Sequence, residues 1–207
     1  MKRINIIDYG LCNLFNVCNA LEHLGVDAKI TENPVDISKS SHLILPGVGA
    51  FKNGMRGLTL RNLIDPIKEH IEKERPFLGI CLGMQMMMSK SFEFGEINGL
   101  GVIEGDVVKI PEMNSQKMRH KIPHIGWNQI VYKEDKILKS QNDKSSMYFV
   151  HSYKADCKND ENVLAHTLYN DVKITAIIKS KNAYGCQFHP EKSGEYGLKL
   201  LNEFIKL

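Results

Sequence analysis

Residues 76–86 read Pro-Phe-Leu-Gly-Ile-Cys-Leu-Gly-Met-Gln-Met. The apolar first half of this stretch predicts a short buried strand, and the second half predicts a helix. Cys81 lies where the two meet, with Gly79 and Gly83 two residues away on either side. A reactive side chain on a sharp strand-to-helix turn needs such small neighbours, because the backbone there is strained and crowded. The Gly-x-Cys-x-Gly arrangement is therefore typical of a nucleophile elbow.

Two interpretations of Cys81 are open from this stretch alone. A helix that begins at Leu82 directs its free N–H groups and the positive end of its dipole at the sulfur, which favours a reactive thiolate. A glycine-flanked turn around a buried structural cysteine has the same local pattern. The rest of the chain has to distinguish a nucleophile from a structural thiol.

The composition is that of an ordinary globular chain. Its 207 residues are enough for one domain, residues 1–207, whose core needs neither disulfides nor metal. A net charge of +3 is too small to indicate a nucleic-acid-binding protein. The five cysteines are odd in number and lack Cys-x-x-Cys spacing, which argues against a disulfide framework and a zinc site. We expect no metal ion and no cofactor.

The sequence shows no targeting or membrane-spanning segment. No apolar run approaches the roughly 20 residues of a membrane helix. The apolar segment after Arg3 is too short for a signal peptide and ends at Asp8. We therefore expect a cytoplasmic protein.

The first half of the chain alternates predicted strands and helices. The strands are residues 3–8, 26–31, 42–45 and the run into Cys81, and the helices are 13–24, 60–74 and the segment after Cys81. Asn13 is a candidate N-cap, and Gly25 closes the first helix. This order predicts a doubly wound α/β fold with a mostly parallel central sheet and helices on both faces.

The second half of the chain changes in character after about Gly95. It consists of short β-branched or alternating stretches separated by turn residues, at 102–110, 122–132, 146–152, 162–168, 172–180 and 184–188. These stretches predict an antiparallel or mixed extension packed on the same core. A final helix is predicted at 196–206.

Two glycine-containing loops are expected to lie close together. In an open α/β sheet, ligands bind beyond the carboxyl ends of the strands. This rule places the turn at Cys81 near the segment Pro46-Gly47-Val48-Gly49, which follows the third strand. Glycines allow the backbone of that segment to turn an N–H group toward a bound oxyanion. A plain tight turn accounts for the same glycines.

The segment His189-Pro190-Glu191 follows a late predicted strand. Pro190 favours extended backbone at His189, and in extended chain residues two apart point in the same direction. Glu191 would then hold one ring nitrogen of His189 and leave the other free to exchange a proton with a nucleophile. A lone histidine at a strand end is usually structural. Together with an elbow cysteine, however, this segment favours a nucleophile, base and orienter triad.

Other residues carry weaker signals. His151 ends a predicted strand and is either structural or part of the same cleft. His120 and His124 are four residues apart, but Pro123 breaks any helix between them, so metal ligation is not expected. The methionines of the elbow helix are expected to fill the core: Met84, Met86, Met87 and Met88. The other cysteines are most simply structural: Cys12, Cys18, Cys157 and Cys186.

Several segments together resemble the class I, or triad-type, glutamine amidotransferases. They are Pro-Gly-Val-Gly-Ala-Phe at 46–51, Gly-Ile-Cys-Leu-Gly-Met-Gln at 79–85, His-Ile-Gly-Trp-Asn at 124–128, Phe-Val-His-Ser-Tyr at 149–153 and Phe-His-Pro-Glu-Lys-Ser at 188–193. The elbow and His-Pro-Glu are common to that class. The later segments, with Asp8-Tyr9-Gly10 and Asn13-Leu14, resemble more narrowly the glutaminase subunits of imidazole glycerol phosphate synthases. The resemblance spans nearly the whole chain, in order.

The resemblance implies a reaction and a role for each site residue. Cys81 would attack the side-chain amide of L-glutamine to give a γ-glutamyl thioester and ammonia, while His189 transfers protons and Glu191 orients it. The N–H of Leu82, with one from the 47–49 loop near Val48, would stabilise the oxyanion. The other substrate-binding residues that the resemblance implies are Gly47, Gly49, Gln85, His151, Ser152 and Tyr153.

The resemblance also implies a partner. Such glutaminases form a heterodimer with a (βα)₈-barrel cyclase and pass ammonia to it through a protected channel, in histidine biosynthesis. One departure is visible, because Cys12 stands where the family usually has glycine. This departure leaves open a glutaminase that serves another synthase, for instance in surface-sugar amination. A catalytically silent binding subunit is the third hypothesis, and an intact Cys81, His189 and Glu191 argue against it.

Overall fold

The computed structural model describes residues 4–11, 13–142 and 144–207. Cys12, the one visible departure from the family pattern, therefore lies outside the described residues. Among the residues that are described, no helix is both long enough and apolar enough to cross a membrane.

The first part of the chain alternates strands and helices, as predicted. In chain order the elements are β1 (Ile4–Ile7), α1 (Leu14–His23), β2 (Ala28–Thr31), α2 (Pro34–Ser38), β3 (His42–Gly47), α3 (Phe51–Leu60), α4 (Ile64–Glu72), β4 (Phe77–Cys81) and α5 (Leu82–Met86). Gly25 follows α1 with φ +74°, a left-handed conformation that ends a helix readily at glycine. The side chain of Asn13 makes no capping hydrogen bond.

The second part of the chain is dominated by strands. They are β5 (Met88–Ser91), β6 (Ile97–Asn98), β7 (Ile103–Lys109), β8 (His124–Gln129), β9 (Val131–Tyr132), β10 (Ser146–His151), β11 (Tyr153–Cys157), β12 (Val163–Tyr169), β13 (Val172–Ser180) and β14 (Ala183–Cys186). Short 3₁₀ turns lie at Lys136–Leu138, Asp160–Asn162 and Pro190–Lys192. Helix α6 (Gly194–Lys206) follows the last of these turns.

The central sheet has eight strands in the order β2-β1-β3-β4-β14-β13-β12-β9. The pairings from β2 through β14 are parallel, and those of β13, β12 and β9 are antiparallel. Two smaller sheets, β10-β8 and β11-β7-β5-β6, complete the structure. The predicted fold class, a mostly parallel α/β sheet with an antiparallel extension, is confirmed.

Strand register brings three loops to one edge of the central sheet. Gly47, at the end of β3, pairs with Cys81 at the end of β4, and Cys186, at the end of β14, pairs with Ile80. The carboxyl ends of these adjacent parallel strands therefore coincide. The loop after β3, the elbow after β4 and the segment that carries His189 all leave the sheet at the same place.

The central parallel strands are buried on both faces. Every residue of β1, β3, β4 and β14 is buried, which explains their nearly continuous apolar sequences. One core cluster includes Leu21 of α1 and Phe204 of α6, and a second includes Phe51 and Leu58 of α3. Each such side chain contributes about 1.5–3 kcal/mol when it is fully buried.

The predicted helix at 60–74 was wrong in its extent. The structure has α3 ending at Leu60 and α4 beginning at Ile64, and Asn62 between them has φ +54°. A left-handed residue interrupts an α-helix, and asparagine adopts this conformation more readily than most residues. The apolar spacing of α4 was read correctly, but spacing alone does not report the break.

The methionine-rich segment also differs from its prediction. All four methionines at 84 and 86–88 are buried, as expected for core filler. Met88, however, begins strand β5, because the helix ends at Met86. Helices α2 and α3 and strands β5, β6 and β11 were not predicted.

Glycine at position 83 is required by a close backbone approach. A Cβ atom on Gly83 would lie 1.8 Å from the carbonyl oxygen of Leu45 in β3. A Cβ atom on Gly79 would lie 2.7 Å from the backbone of Gly83. Helix α5 can therefore pack against the strands only while both positions lack side chains.

We predict that Gly83→Ala destabilises the fold by about 3 kcal/mol, because the backbone oxygen of Leu45 cannot move without disrupting β3. The measurement is the free energy of unfolding in urea. Gly95→Ala is the matched control, since its site has φ +108° but open space around the position of the Cβ atom. The control should lose only about 1 kcal/mol from backbone strain. Equal losses in the two variants would contradict the steric explanation.

Candidate active site

Cys81 occupies a strained turn between β4 and α5. Its backbone has φ +54° and ψ −106°, a conformation that costs a non-glycine residue about 1–3 kcal/mol. The residue is buried, and its side chain borders a cavity. Such an elbow pushes one side chain out of the sheet edge while the backbone on both sides stays packed.

His189 and Glu191 form a hydrogen-bonded pair next to this turn. Nδ1 of His189 lies 2.7 Å from Oε1 of Glu191, and both side chains are almost completely buried. The geometry differs from the predicted extended segment. His189 is extended, but Pro190–Lys192 form a 3₁₀ turn, and this turn brings the carboxylate back to the ring.

The backbone around His189 is fixed from two directions. Its N–H donates to the carbonyl oxygen of Tyr148 in β10 at 3.0 Å. Its own carbonyl oxygen accepts from the hydroxyl of Ser193 at 2.6 Å. The hydroxyl of Ser193 in turn accepts from the N–H of Tyr148 at 3.0 Å. These bonds attach the histidine to the smaller β10-β8 sheet.

The pKa of His189 is set by opposing effects. Burial lowers it, but hydrogen bonds to Cys81 and Glu191 together outweigh burial and raise the pKa to about 10. Since Nδ1 is bound to Glu191, Nε2 is the ring nitrogen that is left for the hydrogen bond with Cys81. The ring is thus an imidazolium at neutral pH, between the sulfur and a carboxylate. The stabilisation of the fold by this charged ring is fully present below the unfolded pKa of about 6.5. It is lost as the pH rises from there through the folded pKa of about 10.

A cavity of about 280 Å³ opens over the sulfur. Its walls come from five parts of the chain and include most of the residues singled out in the sequence: Val48, Gly49, Cys81, Leu82, Gln85, His151, Ser152, Tyr153 and His189. Val150 and Glu93 complete the lining. Glu191 lies behind the imidazole, and Gly47 lies beneath the loop, where a Cβ atom would come within 3.2 Å of the backbone nitrogen of Gly83.

The backbone N–H of Val48 is engaged away from the sulfur. It donates to the carbonyl oxygen of Leu11 at 3.2 Å. In this conformation Val48 therefore offers no N–H to an oxyanion bound at Cys81. Gly49, the next residue, has φ +90°, so the loop contains the glycine conformation that the sequence suggested.

His151 lines the cavity as a neutral ring. Its Nδ1 donates to the carbonyl oxygen of Tyr153 at 2.8 Å, and its Nε2 lies 3.0 Å from Nδ1 of His124. Burial lowers the pKa of His151 to about 3 and also lowers the pKa of His124. Within the described part of the chain, no three His, Cys, Asp or Glu side chains are placed to hold a metal ion.

Two polar residues of the site were missed in the sequence. Glu93 lies in the turn after β5, and its Oε2 accepts from the N–H of Phe51 at 2.7 Å. Gln187 follows β14, and its Nε2 lies 3.7 Å from the sulfur of Cys81. No periodicity points to Glu93. Gln187 could have been noticed because it lies two residues before His189 at the end of a buried strand.

The other described cysteines are poor nucleophiles. Burial raises the pKa of Cys186 well above its ordinary value, and its thiol donates to the carbonyl oxygen of Gly79. Burial likewise raises the pKa of Cys157 to about 11 and also raises the pKa of Cys18. Since the thiolate is the reactive form, Cys81 is distinguished from these three by its imidazolium neighbour.

Comparison with known proteins gives a family match over almost the whole chain. The family model described as glutamine amidotransferase class-I matches residues 5–207. The imidazole glycerol phosphate synthase subunit HisH 1 of Legionella pneumophila (strain Lens) is 48% identical over 213 residues, covering all of both chains. The HisH subunit of Caldanaerobacter subterraneus subsp. tengcongensis is 48% identical over 202 residues, covering 97% of this chain and 96% of that protein.

Solved structures support the same fold. The structure of PurLQS from Thermotoga maritima has a TM-score of 0.72 at 18% identity and covers 99% of this chain and 98% of that one. A crystal structure of a glutamine amidotransferase also has a TM-score of 0.72, at 17% identity, and covers 98% and 97% of the two chains. At these identities the likeness concerns the fold alone.

We predict that Cys81→Ala lowers the pKa of His189 from about 10, because burial persists while one of the two raising hydrogen bonds is lost. The measurement is an NMR titration of the imidazole nitrogens. Cys157→Ala, which changes a cysteine away from the cavity, is the control and should leave the titration midpoint unchanged. An unchanged midpoint in Cys81→Ala would mean that Glu191 alone holds the imidazolium.

Proposed function

This chain belongs to the class I glutamine amidotransferase family, and on that basis we propose that it is the glutaminase subunit of an imidazole glycerol phosphate synthase. It hydrolyses the side-chain amide of L-glutamine to glutamate and ammonia. The observation that carries the proposal is the sulfur of Cys81 facing the ring of His189 in a cavity of about 280 Å³. Relatives that match this chain from end to end bear that subunit name. We further propose that residues 1–207 form one domain, since the family match covers 5–207.

The reaction follows from the positions of three side chains. The sulfur of Cys81 attacks the carboxamide carbon, and His189 donates its Nε2 proton to the amine as the C–N bond breaks. Ammonia leaves, and a thioester remains on Cys81. His189, now neutral, takes a proton from water as the water attacks the thioester carbonyl, which releases glutamate and restores the imidazolium and thiolate. Glu191 keeps the ring in the correct tautomer throughout.

The oxyanion of each tetrahedral intermediate requires N–H donors. We assign one to the backbone of Leu82, the first residue of α5. The second assigned donor, the N–H of Val48, is bound to the carbonyl oxygen of Leu11 in this structure. Loss of one oxyanion donor typically costs a factor of about 10²–10³ in kcat. The free subunit should therefore be a weak glutaminase until a rearrangement of the 46–49 loop releases Val48.

The substrate's α-groups are held by the remaining wall of the cavity. Gln85 and the 151–153 segment line the cavity together with Cys81 and His189. Glu93 adds a carboxylate at the cavity wall, where it would pair with the α-ammonium of glutamine. Its backbone contact to Phe51 fixes that carboxylate at the start of α3. Such a site accepts free glutamine and discriminates against molecules that lack an α-ammonium group.

The product explains the need for a partner. Ammonia is mostly protonated in neutral water and is then no nucleophile, so it must reach its acceptor through a protected path. The proposed partner is a (βα)₈-barrel cyclase that makes imidazole glycerol phosphate in histidine biosynthesis. A synthase of more than one subunit agrees with the names of the relatives.

An exposed apolar face next to the cavity supports a docking surface. Ile125 and Trp127, two residues apart on β8, are 57% and 56% exposed. Trp127 lies opposite Tyr148 of β10, with ring centroids 5.9 Å apart. The same strand β10 ends at His151 in the cavity wall. A large exposed tryptophan is characteristic of protein interfaces, and Ile125 on the same strand lies opposite Val150, which lines the cavity.

The test of the proposed function is a glutaminase assay of the subunit alone and with the cyclase and its nucleotide substrate. We expect weak hydrolysis alone, a rise of about 100-fold in kcat with the partner and nucleotide, and none in either case for Cys81→Ala. Absence of stimulation would contradict the assigned partner. Absence of hydrolysis under every condition would contradict a glutaminase.

We predict that Trp127→Ala weakens binding to the cyclase by about 30-fold or more, because a central interface tryptophan is worth about 2 kcal/mol or more. Isothermal titration calorimetry of the two subunits measures this change. Leu60→Ala, which removes a 67% exposed apolar side chain at the end of α3, is the matched control. Equal affinity of the wild type, Trp127→Ala and Leu60→Ala for the cyclase would mean that the interface lies elsewhere.

A further inference from the structure

A buried amide lies next to the sulfur of Cys81 and has no role in the mechanism above. Gln187 has no exposed surface, and its backbone N–H donates to the carbonyl oxygen of Ala176 at 2.9 Å. Its side-chain Nε2 lies 3.7 Å from the sulfur of Cys81, a separation suited to the large radius of sulfur. A fully buried polar side chain is costly unless its hydrogen bonds are made. The side-chain amide of Gln187 must therefore be held by hydrogen-bond partners.

The amide belongs to a chain of hydrogen bonds that crosses the site. Nε2 of Gln85 donates to the carbonyl oxygen of Tyr153 at 3.0 Å and to Oε1 of Gln187 at 3.0 Å. Gln187 then contacts Cys81 through its nitrogen. The chain therefore connects the 151–153 wall of the cavity, through two side-chain amides, to the nucleophile.

The direction of this chain is fixed at one end. The carbonyl oxygen of Tyr153 can only accept, so Gln85 must present its NH₂ group there. That same group can only donate to Gln187, so Gln187 must present its oxygen to Gln85 and its own NH₂ group to the sulfur. The alternative amide orientations place two acceptors or two donors face to face. The sulfur of Cys81 is consequently an acceptor.

A hydrogen bond that the sulfur accepts favours the thiolate over the thiol, because it stabilises the charged form. Cys81, His189 and Glu191 form a buried group in which the ring of His189 is also hydrogen-bonded to the carboxylate of Glu191. Since that ring serves two partners, a neutral donor on the sulfur adds a stabilisation of the thiolate form that His189 alone does not supply. The side-chain amide of Gln187 is placed to be this donor, because its Nε2 lies 3.7 Å from the sulfur.

We propose that Gln187 is a further catalytic residue, whose side-chain amide donates a hydrogen bond to the sulfur of Cys81 and stabilises the thiolate. Gln85 acts as a positioning residue, because it fixes the orientation of the Gln187 amide. The catalytic role of Gln187 rests on the proposed function. The hydrogen bond and its effect on the thiolate do not depend on that function, so they can be tested through the reactivity of Cys81 without glutamine.

The experiment measures the rate of alkylation of Cys81 by iodoacetamide against pH in the full-length protein, followed by peptide mass spectrometry. Gln187→Met keeps the volume but removes the donor. Its midpoint pH should rise by about one unit, the value of a hydrogen bond to a charged group. Gln187→Glu keeps the oxygen that Gln85 needs and should raise the midpoint further. Gln141→Met is the control, since that amide donates to the carbonyl oxygen of Tyr196 away from the cavity.

An unchanged midpoint in both Gln187 variants, with thermal unfolding like that of the control, would overturn the proposal. A second measurement needs no variant of Gln187. In the wild-type protein, alkylation of Cys81 removes the charge on sulfur, so the Gln187 side-chain amide proton should move upfield in NMR spectra. A resonance that does not move would also overturn it. A failed glutaminase assay with these shifts present would reject the proposed function but leave the hydrogen bond established.

Discussion

The close approach of Gly83 to the carbonyl oxygen of Leu45 is the constraint on which the site depends. Because α5 packs directly on β3 at this point, the chain has to leave β4 and enter the helix within one residue. That residue is Cys81, and its left-handed backbone follows from the lack of room. The parallel register of β3, β4 and β14 then brings the other two functional loops to the same edge. A backbone contact, and not a side-chain interaction, thus determines where the proposed nucleophile lies.

Electrostatics completes what this geometry begins. Burial would leave His189 neutral, yet its hydrogen bonds to Cys81 and Glu191 raise its pKa to about 10. The nearby His151 has no carboxylate on its ring, and burial lowers its pKa to about 3. Of two histidines that border one cavity, His189 is therefore positively charged at neutral pH and His151 is neutral. The difference arises from the partners of each ring, and it separates the proposed proton-transfer group from a neutral wall of the cavity.

The antiparallel part of the structure serves the site in a different way. Strand β10 bonds to the backbone of His189 through Tyr148, and it ends at His151 in the cavity wall. Its partner β8 exposes Trp127 on the outer face. One two-stranded sheet thus links the proposed docking surface, the cavity and the proposed catalytic base. A partner bound to that surface would contact a sheet that is hydrogen-bonded to the backbone of His189.

The sequence by itself determined the fold class, the elbow at Cys81 and the identity of its proposed acid–base pair. These features are local: apolar runs report buried strands, and a glycine pattern reports a turn that must be crowded. It did not determine the break at Asn62, the 3₁₀ turn that joins His189 to Glu191, or the engagement of Val48 by Leu11. Those depend on backbone conformations that several sequences can adopt. Only the tertiary structure placed Glu93 and Gln187 at the site, because hydrogen bonds between residues 42 to 106 positions apart follow from strand order and register, which no local pattern encodes.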